Sequence, residues 1–443
     1  MNHRELAFQA NRPLAILIAT MTLAGSALAA GPLTVLHHFQ GASDGENPAG
    51  NLIADKAGNL YGTTEYGGAG GYYGTVFQLA PPNQPGDGWT ATTLYAFRNR
   101  GDGARPTSGL VFDSTGNLYG TTSDSNAGGY GEIFQLTPPG PKGGSWTETV
   151  LYSFQGGADG AYPYGGLVSD SAGNFYGTTG SSVFELSPPT SKGGTWTFSL
   201  LHNFACCTSD GWNSVASLVR DPQGNLYGTT EWGGAYTGLY CDYLGCGTVF
   251  EVSPPSAPGG AWTEKVLYAF GGEPDGLNPL SGLALDTAGN LYGTTYGGGA
   301  LQGGTAFQLA PPAQPGAPWT KTVLHNFSYS ANDGAVPLGT LKFGPGGNLY
   351  GTTEFGGNAC VFNTTPYGCG VVFQLAPPPT KGGAWAETLL YRFTTFAFGP
   401  KQPVAGVMFD RAGNLYGTTT YGGYEGCTGD GSDGCGAVFK ISR

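Results

Sequence analysis

Three carboxylates stand beside an aromatic ring, each directly after a Gly-Thr-Thr tripeptide: Glu65-Tyr66, Glu231-Trp232 and Glu354-Phe355. Tyr296 and Tyr421 open two further stretches of the same kind. A carboxylate next to an aromatic face and glycine-rich backbone can bond and stack against a sugar or a peptide. Carboxylates gathered at one mouth could also supply an acid and a base. The competing reading is that these rings only pack against one another. Histidine offers less. His37, His202 and His325 occupy the slot filled elsewhere by Tyr95, Tyr152, Tyr268 and Tyr391, and His38 is the neighbour of that slot, so all four read as packing or hydrogen-bonding residues. The Asp-Gly pairs at Asp44, Asp102, Asp159, Asp210, Asp275 and Asp333 recur and read as turns. The sequence has no Ser-His-Asp constellation, no His-Glu-x-x-His and no Gly-Lys-Ser/Thr. Asp430-Gly-Ser-Asp433 lacks the length and closing Glu of a calcium loop. No catalytic residue, metal site or cofactor is therefore expected.

A repeat must position these groups. Asn-Leu-Tyr-Gly-Thr-Thr begins at Asn59, Asn117, Asn225, Asn290, Asn348 and Asn414, and a seventh copy at Asn174 has Phe175 for Leu. The spacings are 58, 57, 51, 65, 58 and 66 residues. Each copy sits in a unit of four short apolar runs: a Gly-Leu run ending in an Asp turn, the Leu-Tyr-Gly-Thr-Thr run, a Val-Phe-Gln-Leu run followed by Pro-Pro, and a run led by Trp89, Trp146, Trp196, Trp262, Trp319 or Trp385. No window has a helical period. Four strands in a unit of about 58 residues, repeated seven times, predict an all-β, seven-bladed β-propeller with four antiparallel strands per blade. The chain opens on a lone fourth strand, Leu33 to Phe39, and ends on a lone third strand, Ala437 to Ser442. Pairing these closes the ring and removes the open edges. Residues 30–443 are then one propeller domain, expected to be a monomer. The recurring Asp of each first turn should accept backbone N–H groups. The Gly of each Tyr-Gly-Thr-Thr is expected to let neighbouring blades approach closely.

His3, Arg4 and Arg12, the apolar run Leu14 to Ala24 and Ala27-Leu28-Ala29 form a secretory leader over residues 1–29, with the mature chain starting at Ala30. No later run is long enough to span a bilayer. The net charge of −12, without a Lys/Arg cluster, argues against nucleic acid as a partner. Eight cysteines in an exported chain predict disulfides. Cys241 with Cys246, Cys360 with Cys369 and Cys427 with Cys435 each lie in one loop between second and third strands. Adjacent Cys206 and Cys207 are expected to form a vicinal disulfide.

The ordered recurrence of Asn-Leu-Tyr-Gly-Thr-Thr, the Gly-rich loop, Val-Phe-Gln-Leu, Pro-Pro and Leu-Tyr-x-Phe resembles the Gloeobacter/Verrucomicrobium-type tandem-repeat (GloVer) family over nearly the whole mature chain. The resemblance implies an exported repeat protein and brings no catalytic residues. Many relatives carry a C-terminal surface anchor, whereas this sequence stops at Arg443, directly after its last strand. Free secretion is expected, with the periplasm or the cell surface as alternatives. Two functional readings follow: a noncatalytic binding or scaffold propeller for extracellular carbohydrate or protein, and an extracellular polysaccharide lyase or glycosidase with its carboxylates at the ring mouth. The first is favoured, because a single active site should break the repeat pattern and the candidate groups fall in shared slots.

Overall fold

A computed structural model describes residues 31–443, apart from loop positions 70, 85, 126–128, 206–208, 235–240, 242–243, 258, 315, 358–359, 363–364, 381, 395–398, 424–426 and 428–433. The expected leader, the expected Cys206–Cys207 disulfide and the Asp430–Asp433 stretch lie outside the described residues.

The strands form seven four-stranded antiparallel sheets. Blade 1 runs Ile53–Ala54, Leu60–Thr64, Thr75–Ala80 and Thr90–Ala96. Blades 2 to 6 repeat this order around Leu118–Thr122, Phe175–Thr178, Leu226–Thr230, Leu291–Thr295 and Leu349–Thr353. Blade 7 takes Met408–Phe409, Leu415–Thr419 and Ala437–Ile441 from the end of the chain and Leu33–His38 from its beginning. The closing pair is antiparallel, from Leu33 opposite Ile441 to His38 opposite Ala437. The one helical element among the described residues is the 3-10 turn Pro345–Gly347.

The core lies between blades. Each second strand is buried along its length, because both faces of a blade are covered by its neighbours. One apolar cluster joins Leu52, Phe77 and Leu79 of blade 1 to Tyr416 and Val438 of blade 7, so the closing interface resembles the internal ones. The Trp that leads each fourth strand reaches back to the preceding blade. Trp319 meets Tyr227, Trp385 meets Tyr292 and Trp89 meets Tyr416, with centroids 6.1 to 6.4 Å apart. Such contacts remove apolar surface from water at about 25 cal/mol per Å².

The glycine of Tyr-Gly-Thr-Thr does something other than the sequence suggests. A Cβ on Gly62 would lie 2.6 Å from Phe77 Cζ, and one on Gly120 would lie 2.7 Å from Phe134 Cζ. Phe77 and Phe134 sit opposite these glycines on the third strand of the same blade. The glycine thus makes room for a phenylalanine within its blade. The threonine that follows joins blades: Thr63 Oγ1 donates to the Ser108 carbonyl (2.8 Å), Thr178 to Ala216 (3.0 Å) and Thr352 to Ala405 (2.7 Å).

The Asp turns behave as the sequence predicts. Asp55 accepts the N–H groups of Ala57 and Asn59, both at 2.9 Å, together with Asn59 Nδ2 and the Tyr61 hydroxyl. Burial pulls its carboxyl upward, but the bonds from Asn59, Tyr61 and Ala57 prevail and hold it below the usual value. In blade 6 Gly344 replaces the Asp, and the Arg443 guanidinium donates to the Tyr350 hydroxyl. Three disulfides fall where expected: Cys241–Cys246, Cys360–Cys369 and Cys427–Cys435, with Cα atoms 4.8, 5.2 and 5.5 Å apart.

Candidate functional site

Loops between second and third strands share one face with loops that lead from each fourth strand to the next blade. The two kinds pair directly, as Glu46 with Tyr66, Ala104 with Asp124, Trp212 with Trp232, Leu277 with Gly297 and Lys401 with Tyr421. The second Thr of each Thr-Thr fixes the turn that follows. Thr64 Oγ1 donates to the Tyr66 carbonyl at 3.0 Å, Thr230 to Trp232 at 2.8 Å and Thr353 to Phe355 at 2.7 Å. Strand-end threonines therefore set where the Glu-aromatic pairs sit.

A second ring of positions stands beside them. Asn47, Arg105, Tyr162, Asn213, Asn278, Val336 and Gln402 occupy one slot of the repeat, and all have φ between 51° and 60°. Non-glycine residues rarely adopt this conformation, least of all β-branched ones such as Val336. Each is held by its N–H, which donates to a carbonyl of the preceding blade: Asn47 to Cys435, Tyr162 to Tyr130, Val336 to Gly303. Proline follows in six of the seven, and the residue itself is Asn in three blades and Arg, Tyr, Val or Gln in the others.

The exposed aromatics collect on this face. Among the described residues the exposed tyrosines are Tyr72, Tyr130, Tyr162, Tyr164, Tyr296, Tyr329 and Tyr367. Every one lies in a loop of these two kinds. Five of them fall in two patches. Tyr130, Tyr162 and Tyr164 follow one another with centroids 6.1 and 6.3 Å apart around blades 2 and 3. Tyr367 lies 5.7 Å from Tyr329 and 5.8 Å from Phe355 around blades 5 and 6.

The carboxylates divide the same way. Burial raises Glu65 despite its bond with Tyr66 and the nearby charge of Arg105. The Arg105 guanidinium lies 5.3 Å from the Tyr66 ring centre, and burial with the Glu65 charge pushes Tyr66 up to about 12. In the other arc, Glu231 accepts Asn213 Nδ2 at 2.5 Å and is raised by burial. Burial alone pushes Glu354 up to about 7. Tyr296 is raised by burial and by the charges of Glu354 and Glu231, which places all three in one neighbourhood. Tyr296 takes the slot of the glutamates, directly after Thr-Thr, whereas Tyr421 takes the slot of the aromatics. The structure thus gathers Glu231, Tyr296, Glu354 and Phe355 in one arc, and Glu65 and Tyr66 with Tyr421 in another. Trp232 stays tied to Trp212 by backbone pairing.

Below this mouth the axis narrows between small residues, among them Gly50, Ser108, Gly165, Ala216, Gly339 and Ala405. It then widens to a cavity of about 520 Å³ lined by Ile53, Leu110, Val219, Leu285, Phe343 and Met408. That cavity is the larger space, but carboxylates, guanidinium and exposed rings all stand at the mouth. Sequence reasoning missed Tyr72, Tyr130, Tyr162, Tyr164, Tyr329 and Tyr367. Their signal was departure from the repeat in loops that read as glycine-rich connectors.

A closed ring of seven repeat-built sheets with a variable, tyrosine-rich loop face defines a β-propeller. The chain belongs to the Gloeobacter/Verrucomicrobia repeat family, whose sequence profile matches residues 21–182 and 179–429. No curated protein matches the sequence. Among solved structures, the chain resembles the extracellular domain of a putative one-component system from B. thetaiotaomicron, with TM-score 0.52 and 12% identity over 93% of this chain and 42% of that one. It also resembles the extracellular domain of a putative hybrid two-component system from the same organism, with TM-score 0.50 and 12% identity over 93% and 41%. The chain spans about two fifths of the length of those proteins, and at this identity the likeness concerns the fold alone.

Proposed function

We propose that this chain is an exported, noncatalytic propeller that binds an extended extracellular carbohydrate across its loop face. The carrying observation is that every exposed tyrosine among the described residues lies in loops of that face. Tyrosine offers a flat ring for stacking and a hydroxyl for bonding, at small conformational cost. Glu65, Arg105, Asn213 and Glu231 add polar groups of the kind that orient sugar hydroxyls. Two aromatic patches on opposite arcs suit a chain that crosses the mouth better than a single small molecule. Export accords with the leader expected from residues 1–29 and with three disulfides.

A glycan array followed by calorimetry tests this. Binding should fall at least tenfold in both Tyr162→Ala and Tyr367→Ala, with the fold unchanged by circular dichroism. Capture of a protein but no glycan would replace carbohydrate by protein as the ligand. Binding unaffected by either substitution would remove the site. One observation favours a second reading, a polysaccharide lyase or glycosidase: Glu354, raised to about 7, shares its arc with Glu231. Turnover of a polysaccharide that disappears in Glu354→Gln would establish that reading instead.

A further inference from the structure

Six of the seven blade boundaries carry one repeated slot. It is made by the Tyr or His of a fourth strand, the Asp of the turn after it and a residue of the next blade's fourth strand. The occupants differ in a telling way. Between blades 4 and 5 the slot holds its own cation. Lys321 Nζ lies 2.6 Å from Asp275 Oδ1 and 5.5 Å from the Tyr268 ring centre. Between blades 2 and 3 it is apolar, with Phe198 stacked 4.2 Å from Tyr152. Between blades 3 and 4, and again between blades 5 and 6, the position of Lys321 is taken by a glutamate and that of Tyr268 by a histidine. These two boundaries bring together His202, Asp210 and Glu264, and His325, Asp333 and Glu387.

In each trio, one ligand atom from every residue lies within 4.8 Å of the other two. His202 Nε2 is 3.1 Å from Asp210 Oδ1. His325 Nε2 is 3.0 Å from Asp333 Oδ1 and 3.8 Å from Glu387 Oε2. Ligands bonded to one zinc-sized ion at about 2.0–2.2 Å stand roughly 3.3–3.5 Å apart, so side-chain shifts of at most about 1.3 Å bring each trio into range. Glu264 Oε1 and Glu387 Oε1 are buried without a hydrogen-bond partner. Asp333 is oriented by Ser328 Oγ at 3.0 Å and by the Gly334 N–H at 2.7 Å, in the manner of groups that hold a ligand carboxylate in place. The cation that Lys321 supplies internally at one boundary can come from solution at these two, because each side chain is only partly covered: His325 keeps 21% and Glu387 13% of its surface exposed. One imidazole nitrogen with two carboxylates suits a first-row divalent ion over calcium or magnesium, which prefer all-oxygen sets. The Tyr95–Asp102–Glu148 boundary lacks the imidazole and falls outside the proposal.

We propose that the His202–Asp210–Glu264 and His325–Asp333–Glu387 clusters each bind a zinc-type divalent cation that clamps neighbouring blades. The test uses the full chain, stripped with a chelator and titrated calorimetrically with zinc chloride. We expect two ions per chain, one in Glu264→Gln, one in Glu387→Gln and none in the double variant, with zinc raising the melting temperature of the parent only where an ion binds. His202→Tyr and His325→Tyr place the residue of other blades in the same slot and should lower the count in the same way if the glutamine variants fail to fold. No uptake by the parent, or uptake that none of these substitutions lowers, would overturn the proposal.

Discussion

Replacing Glu354 by Gln should stabilise the protein, and only at high pH. Burial moves this carboxyl from 4.5 to about 7. Below the unfolded value, folded and unfolded chains both hold the proton and the group contributes nothing. As pH rises, the unfolded chain loses its proton first, and stability drains away until the folded group also ionises near pH 7. Above that the full penalty applies. At 1.36 kcal/mol per pKa unit it reaches roughly 3 kcal/mol. Partial contact with solvent at the mouth reduces the expectation to about 1–3 kcal/mol. Glutamine fills nearly the same volume and cannot ionise. Urea unfolding of the parent and Glu354→Gln at pH 4 and pH 8 measures the difference. The variant should match the parent at pH 4 and exceed it by about 1–3 kcal/mol at pH 8. Equal effects at both pH values, or a loss at pH 8, would refute the desolvation argument.

Other perturbations address the scaffold. Gly62→Ala forces a Cβ to within 2.6 Å of Phe77 and should cost about 1–3 kcal/mol in urea melts, whereas Gly88→Ala, with nothing within 4 Å, should stay within about 0.5 kcal/mol of the parent. Replacing Cys360 and Cys369 together by Ser should remove about 2–3 kcal/mol, read from the same melts, because the loop they close is short. Deleting residues 31–38 takes the outer strand from blade 7 and bares the edge of Ala437–Ile441. Light scattering should then show association, and a monomer of unchanged stability would contradict strand closure.

The fold was legible because the repeat repeats its punctuation. Seven Tyr-Gly-Thr-Thr strings, the Asp turns and the unmatched strands at the two ends state blade number, strand order and closure in one dimension. The glycine was misread because its partner, Phe77, lies across a strand pair rather than across a blade boundary, and sequence spacing does not distinguish those neighbours. The site was half legible. Glu65, Glu231 and Glu354 mark a slot, so they could be found, but Tyr130, Tyr162 and Tyr367 belong to different loops and meet only once the ring is closed. The boundary clusters left a usable trace: each glutamate follows its histidine by 62 residues, at Glu264 after His202 and Glu387 after His325.

Residues that vary within a repeat must do so where the scaffold tolerates it, and the left-handed slot shows how that tolerance arises. The conformation of Asn47, Arg105 and Tyr162 is imposed by an N–H bond to the preceding blade and, at most positions, by the proline that follows. Neither constraint involves the side chain. The backbone therefore holds any residue there, Val336 included, at a cost on the order of 1–3 kcal/mol that the packed boundaries absorb. The left-handed conformation is kept in all seven blades while the side chain ranges over Asn, Arg, Tyr, Val and Gln, so the backbone geometry does not depend on one residue type. Structure is carried by Thr63, Trp319 and their counterparts, which hardly change. On the proposed reading, recognition falls to exposed loop residues such as Tyr162, whose identity the ring does not need to specify.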